Sequence, residues 1–502
     1  MNLKRNDRNN YIKHILSIFI IISICLIGYI IFKYPQMGVA DQGDFDRVMF
    51  SSGLSLLDSD RANPDFNRFY QYIVTDYKIN TNIVTFILTI FGSSMGYLIS
   101  FINYICKLLG QDVFKTQYLA IAYGIIYISS LAIILKNLNI KNKFKLIIVA
   151  LASIFVFMDG NYVIWFNSLY GEPMMISTLL LFISSFLYYV NYKYVKKKSE
   201  NIEYKILLVY IAAFIFLGSK MQVFTTLPFI ILLLLKILID NRKVLSRKKL
   251  ILLSMVLFMV VIYPVEINMT NKNISKDTQY NSVFYGVLNG SETPEQDLID
   301  LGLNPDMASE AGKHSYLDAS EYVKYVPRTE ITEKEFYSKM SNGKLAKFYL
   351  THPKRLIEGM EYTASKAFIT STSLGKGYRV DSEEPITEFS RFTSWSEFRE
   401  NNLPKKLWFI LGIYITIFVV SVREFIKNKE NKAVINKIYL LWTLMLVGGI
   451  QFQMPYVGNG QADTAKQLYL FNFVFDILLL VGTMYILFNI IDFIKKKSFL
   501  KN

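Results

Sequence analysis

Cysteine, histidine and charge are all scarce in this chain of 502 residues. There are two cysteines and three histidines, and Asp, Glu, Lys and Arg make up 19%, against about 25% in an ordinary soluble domain. Cys25 and Cys106 sit in apolar runs and offer neither a disulfide framework nor a metal spacing. His14, His314 and His352 are far apart in sequence, which argues against a local His/Cys zinc motif. Also missing are a Gly-rich phosphate loop, a dinucleotide fingerprint, a Ser/His/Asp set, an internal repeat and any low-complexity tract. These gaps argue against a nucleotide-driven soluble enzyme.

What the chain has instead is oil. It is 52% hydrophobic and 15% aromatic. Many separate runs reach the roughly 20 apolar residues that a spanning helix needs. Candidate spans cover 13–33, 114–135, 145–159, 172–193, 205–218, 222–238, 249–265, 405–424, 437–454 and 466–493. The basic head of the first run looks like a signal peptide, but its apolar part is too long and no small-residue cleavage pattern follows. It reads as a retained span. Spans 205–218 and 222–238 are short and joined only by Ser219, Lys220 and Met221, as helices that line a cavity often are.

Segment 82–107 is long enough to cross, yet Asn82, Thr85, Thr89, Ser93, Gly96, Ser100, Asn103 and Lys107 recur in steps of three and four. Such a stripe predicts an amphipathic helix lying flat at the interface. Charge supports this. With 82–107 flat, one side of the membrane carries 28 Lys and Arg against 7 acids, and the other 27 against 33. Basic residues concentrate on the cytoplasmic side, so about ten crossings with both termini inside are expected. The net charge of +15 is then a topology signal, and no nucleic-acid partner is implied.

The expected fold is an all-α polytopic membrane protein with juxtamembrane helices in the first outer loop and a small, mainly helical extracytoplasmic domain. Residues 1–265 form the N-terminal membrane module, with outer loop 34–81 and interfacial helix 82–107. Residues 266–404 form the extracytoplasmic domain and 405–502 the last spans. The outer segments bear the polar chemistry.

In "MGVADQGDFDRVMF", Asp41 and Asp44 are three apart. They can cap a following helix, share a divalent cation such as Mg2+ or Mn2+, or raise one another's pKa so that one becomes a base. Arg47 can hold a phosphate bidentately. In "MDGNYVIWFNSLYGEPMM", Asp159, Asn167, Tyr170 and Glu172 belong to a polar and aromatic set that suits a sugar, though an acid beside Pro173 is also ordinary helix-start chemistry. In "GSKMQ", Lys220 is a lone base at an outer edge, either snorkelling or countering a lipid phosphate; Gln222 follows it. Asp463 and Lys466 open the last span, as a solvated pair or as part of a site. Asp476 lies within that span, where a carboxylate signals function or a structural hydrogen bond.

Together these stretches resemble the GT-C class of membrane glycosyltransferases, and more closely the bacterial WsfD-like glycan-biosynthesis hexose transferases. The resemblance rests on "DQGDFDRVM", "FNSLYGEP", "SKMQ", "FYGVLNGSETPEQDLIDLGLNPDMASEAGKHSY", "FYLTHPKRL" and "GQADTAKQLYLFNFVFD". It departs from the family pattern at Gln42, usually Asn, and at Gln467, usually His. It implies a GT-C-like bundle in a bacterial cell membrane, a polyprenyl-phosphate-linked sugar as donor, and a surface glycan or cell-wall acceptor. On this reading Asp44, or alternatively Asp41, is the base of an inverting transfer. Arg47, Lys220 and Lys466 hold the departing phosphate, while Glu172 and Tyr170 orient the acceptor or a metal. Two other readings stay open: a glycan-lipid transporter, and a polymerase or ligase using a diphosphate-linked donor.

Overall fold

The computed structural model describes residues 2–64, 66–270, 274–382 and 384–499. Parts of the expectations for 266–404 and for the terminal charges fall on Asn271–Asn273, Glu383 and Leu500–Asn502, outside the described residues. The fold is a helical membrane bundle. Among the described residues eight helices are long and apolar enough to cross a membrane, and the pair Lys143–Phe157 and Gly160–Phe166, bent by 56°, can form a ninth span. The helix Ile202–Leu217, of 16 residues, packs between Glu172–Val190 and Arg247–Thr270 and is shorter than these spans, so the structure shows eight or nine candidate spans where about ten are expected. The next span begins as a 3-10 turn, Met221–Thr226, before the helix Leu227–Asn241. This is the short hairpin that the sequence suggests. The span Glu172–Val195 runs through the middle, with 83% of its apolar window buried, against 17% for the peripheral Leu407–Lys427.

Polar side chains define the two ends. At one end Tyr11 donates to Lys141 O, Asn191 to Asn137, Lys193 to Asn241, Lys437 to Leu138 O, and Lys145 pairs with Asp492 at 2.6 Å. This basic end holds the start of the first helix and the end of the last. At the opposite end Arg391 closes the first helix by donating to the carbonyls of Ile30, Lys33 and Pro35, where unsatisfied carbonyls and the helix dipole favour a cation.

Segment 82–107 is two helices, Ile83–Ile90 and Ser94–Leu108, rather than one, and neither is among the helices long enough to cross. Its polar stripe is turned to solvent only in part: Asn82 and Lys107 are exposed, whereas Thr89 and Asn103 are buried. Thr89 donates to Ser51 O, Asn103 to Ser52 O, and Ser94 to Ile215 O. The stripe grips the first loop, and Ser94 beside it grips the short hairpin. Ile83, Phe86, Phe101 and Leu108 are exposed on the other faces. A stripe at helical spacing gives the buried face but not whether protein or solvent meets it. Two strands of the first loop, Leu54–Leu56 and Asp76–Ile79, form a three-stranded antiparallel sheet with Val113–Lys115, which follows segment 82–107; the strands are too short to register in an all-α reading.

Residues 274–382 pack a second apolar core, including Phe284, Phe336, Phe348 and Phe368, against Phe452, Phe471 and Phe475 of the last spans. The chain then returns below the first loop, where Gly38 donates to Lys376 O and Ala40 to Gly375 O. Asp476 finds its partners here. Its Oδ2 accepts from Tyr162 at 2.7 Å, from Trp395 at 2.9 Å and from Arg399. Arg399 and Asp476 are both fully buried. Arg399 also donates to Phe368 O and Thr370, so the intramembrane carboxylate ties the 394–402 helix to the bundle. Breaking a buried pair leaves an uncompensated charge and costs about 3–5 kcal/mol. Arg399→Met should therefore lower the denaturation midpoint in detergent sharply, and Arg399→Met with Asp476→Leu should recover most of the loss. A single variant that melts like the parent contradicts this role.

Candidate functional site

The charged segments converge at the end opposite the basic one. Gly43, at φ +103°, supplies a turn that side-chain-bearing residues rarely adopt. The turn folds Asp41 back so that its Oδ1 accepts from the amides of Gly43 at 2.7 Å and Phe45 at 3.2 Å. Asp41 is thus the carboxylate at the start of the helix Phe45–Ser52. It is 2% exposed. Its Oδ2 has no hydrogen-bond partner and faces the Arg68 guanidinium at 3.8 Å. Burial pushes its carboxyl above the usual range, against the pull of the two amides and Arg68.

Asp44 is projected the other way. It pairs with Arg47 one turn on and with Lys466 at 2.7 Å. Burial would raise its carboxyl, but Lys466, Lys220 and Arg47 outweigh that and hold it well below the usual carboxylate range. Lys466 in turn bonds Gln42 at 3.2 Å and lies 5.1 Å from the Tyr170 ring centre. Burial disfavours its charge, yet Asp44, Glu172 and Asp463 raise its pKa above that of a free lysine. Gln42 reaches across to Asp463 at 3.0 Å.

Glu172 and Lys220 complete the cluster. Glu172 is fully buried, and its Oε1 accepts from Lys220 at 2.5 Å. Its Oε2 has no partner. It begins the helix with Pro173 behind it, so the helix-start role and the ion pair coexist. Lys220 is therefore not a snorkelling base, since its charge is neutralised inside the protein. Tyr170 donates to Ala40 O at 2.9 Å, and its ring meets Phe45 and Trp165 edge on, so it props the first loop from below. Gln222 donates to Gln467 O and to Gln451, locking the hairpin turn beside Lys466.

Asp159 and Asn167 are placed elsewhere. Asp159 accepts from Asn161 N and Ser396 N, on the Arg399 side of the bundle. Asn167 accepts from Thr116 at 2.6 Å and donates to Met37 O at 2.8 Å, which fastens the first loop to the bundle. Two residues that sequence reasoning passed over join the site. Arg68 bridges Asp46 and Asp41, and Gln42 bridges Asp463 and Lys466. Arg68 lies in an irregular stretch with no periodicity to mark it. Gln42 lies within the first motif.

Asp41 and Asp44 do not present a shared face to a divalent cation. One is turned to backbone amides and Arg68, the other to Arg47 and Lys466. Among the described residues no three His, Cys, Asp or Glu side chains gather as a metal site. The arrangement is suited instead to an anion: Lys466 and Arg47 share one carboxylate that an incoming phosphate could displace.

Structural and site residues should separate experimentally. Asn167→Ala leaves two buried partners unsatisfied, a loss of about 1–3 kcal/mol for each, and should lower the denaturation midpoint. Arg47→Ala, at a pair whose arginine is half exposed, should stay within about 0.5 kcal/mol of the parent. The reverse order contradicts the assignment.

Neither a curated protein nor a solved structure matches this chain. A family model described as the YfdI N-terminal transmembrane domain matches residues 2–502, and that family is associated with membrane glycosyltransferase-like proteins. A multi-pass helical bundle matched from end to end in this way belongs to the YfdI N-terminal transmembrane domain family.

Proposed function

We propose that the protein is a membrane glycosyltransferase that moves a hexose-type sugar from a polyprenyl-phosphate carrier to a surface-glycan or cell-wall acceptor. The basic end faces the cytoplasm of a bacterial cell, and the site faces outward. The observation that carries this reading is the meeting of Asp44, Arg47 and Lys466 at one end of a membrane bundle. A carboxylate beside two cations, close to where spans end, can serve a lipid-borne phosphate and an acceptor hydroxyl at once. The excess of bases at the other end supports the orientation.

The low proton affinity of Asp44 shapes the mechanism. A carboxylate held by three cations is a weak base. When the donor phosphate arrives, Lys466 and Arg47 turn towards it and its negative charge offsets theirs. Asp44 is released and its pKa rises. It then takes the proton of the acceptor hydroxyl as that oxygen attacks the anomeric carbon. The bond from this carbon to the phosphate oxygen breaks on the opposite face, and the phosphate leaves with the electron pair, steadied by the two cations. The configuration inverts. The buried Glu172 holds Lys220 in place nearby.

Asp44→Asn should abolish incorporation of sugar from a polyprenyl-phosphate donor while leaving membrane levels of the protein unchanged. Full activity in that variant refutes the base assignment. Lys466→Met should lower the rate by about 10²–10³-fold, as loss of one fixed charge at a reacting centre does. It should also move the acidic limb of the rate–pH profile to higher pH, because a cation that favours the ionised carboxylate is gone. A limb that stays in place or moves to lower pH contradicts the coupling.

A further inference from the structure

The proposed reaction leaves a row of aromatic rings at the same end of the bundle without a role. Tyr285 lies in the turn Val283–Val287. Its ring meets the His314 imidazole at 5.4 Å between centroids, and His314 meets the Tyr316 ring at 6.0 Å. Tyr316 is 59% exposed, and Tyr285 and His314 are half-buried. These rings are therefore not part of the apolar core, although Tyr280 and Phe284 beside them are.

The backbone fixes where the row sits. Asn281 accepts from Ser315 N at 2.7 Å and donates to Asn459 at 2.9 Å, which holds the 313–316 loop against the end of the helix Lys432–Asn459. Gly460 has φ +59°, and a Cβ there would lie 2.4 Å from Asn281 O and 2.7 Å from the carbonyl carbon of Tyr285. Only glycine permits that approach. One residue on, Gln461 N donates to Tyr285 O at 3.1 Å. The loop that carries Asp463 and Lys466 is thus fastened to the backbone of Tyr285. Tyr316 in turn feels the charges at the site. Partial burial, then the carboxylates of Asp277, Asp463 and Asp44, raise its phenol.

A pyranose has an apolar C–H face and a rim of hydroxyls. Aromatic rings bordered by fixed polar groups match both, because a ring offers contact area at small entropic cost and a polar handle at its edge. Here the border is built. His314 Nδ1 accepts the Tyr316 amide at 3.2 Å, which leaves Nε2 as the ring nitrogen that donates. Carboxylates lie beyond Tyr316. A lipid tail would need neither feature.

We propose that Tyr285, His314 and Tyr316 form a sugar-binding subsite, which stacks a pyranose of the acceptor glycan and turns its hydroxyl towards Asp44. This proposal rests on the reading of Asp44 as the base of a glycosyl transfer. The test is saturation-transfer NMR on the purified full chain in detergent, with millimolar methyl β-D-glucopyranoside and methyl β-D-galactopyranoside as probes. The parent protein and Asp44→Asn should transfer saturation to the ring protons of at least one glycoside. Tyr316→Ala and His314→Ala should reduce that signal roughly tenfold, the scale of one lost ring contact, and Tyr316→Phe should retain it. No signal from the parent with either glycoside, or Ala variants equal to the parent, overturns the subsite. If binding depends on Tyr316 but no sugar leaves a polyprenyl-phosphate donor, the subsite stands and the transferase reading falls. If transfer proceeds and Tyr316→Ala keeps the acceptor KM of the parent, the subsite falls alone.

Discussion

Asp44 and Lys466 are 422 residues apart in sequence and 2.7 Å apart in space. Their contact joins the first loop to the mouth of the last span, and the other charges of the site are ordered around it. Charges held in partly buried positions persist only where a partner arrives with good geometry. Here each partner comes from a different turn of the chain. Lys220 reaches Glu172 from the short hairpin, Gln42 reaches Asp463, and Arg68 reaches back to Asp46 and Asp41. The bundle thus has one end where acids and bases from distant parts of the chain meet, and a far end that is basic and tied by its own lysines.

Two of the three carboxylates of the first motif, Asp41 and Asp44, have opposite environments. Asp41 is sealed beneath backbone amides, where burial raises its proton affinity, and Asp44 is surrounded by cations that lower it. Only Asp44 is reachable. On the proposed mechanism, its weakness as a base becomes a form of control, because a donor phosphate that draws the cations away would improve proton acceptance. The same logic separates the site from the Arg399–Asp476 pair, which is sealed on all sides and ties a surface helix to the last span.

Much of the fold was legible because membranes restrict it. Apolar length marks spans, and the bias of Lys and Arg along the chain assigns the loops to two ends. The stripe in 82–107 was legible as the polar side of an interfacial helix, but Thr89 and Asn103 meet the first loop, and no single-sequence pattern contains that partner. The pieces of the site were legible one by one, since Asp44, Lys220 and Lys466 are charges at the ends of oily runs. Their pairing was not, because Lys220 could equally have reached headgroups, and only its distance to Glu172 decides. Asn167 and Asp159 looked like ligands for a sugar but bind backbone and neighbouring side chains instead. Arg399 gave no signal at all: it lies in a polar stretch where nothing in the local pattern distinguishes a fully buried guanidinium from a solvated one.

The most direct test of the central contact is cross-linking in native membranes. With Cys25 and Cys106 replaced by serine, Gln42→Cys and Asp463→Cys would be introduced together and treated with a short thiol cross-linker. The geometry described here predicts a near-quantitative intramolecular link, lost when either cysteine is omitted. Two cysteines that each react with a membrane-impermeant thiol reagent, but only from opposite sides of the bilayer, and never link to one another would contradict it.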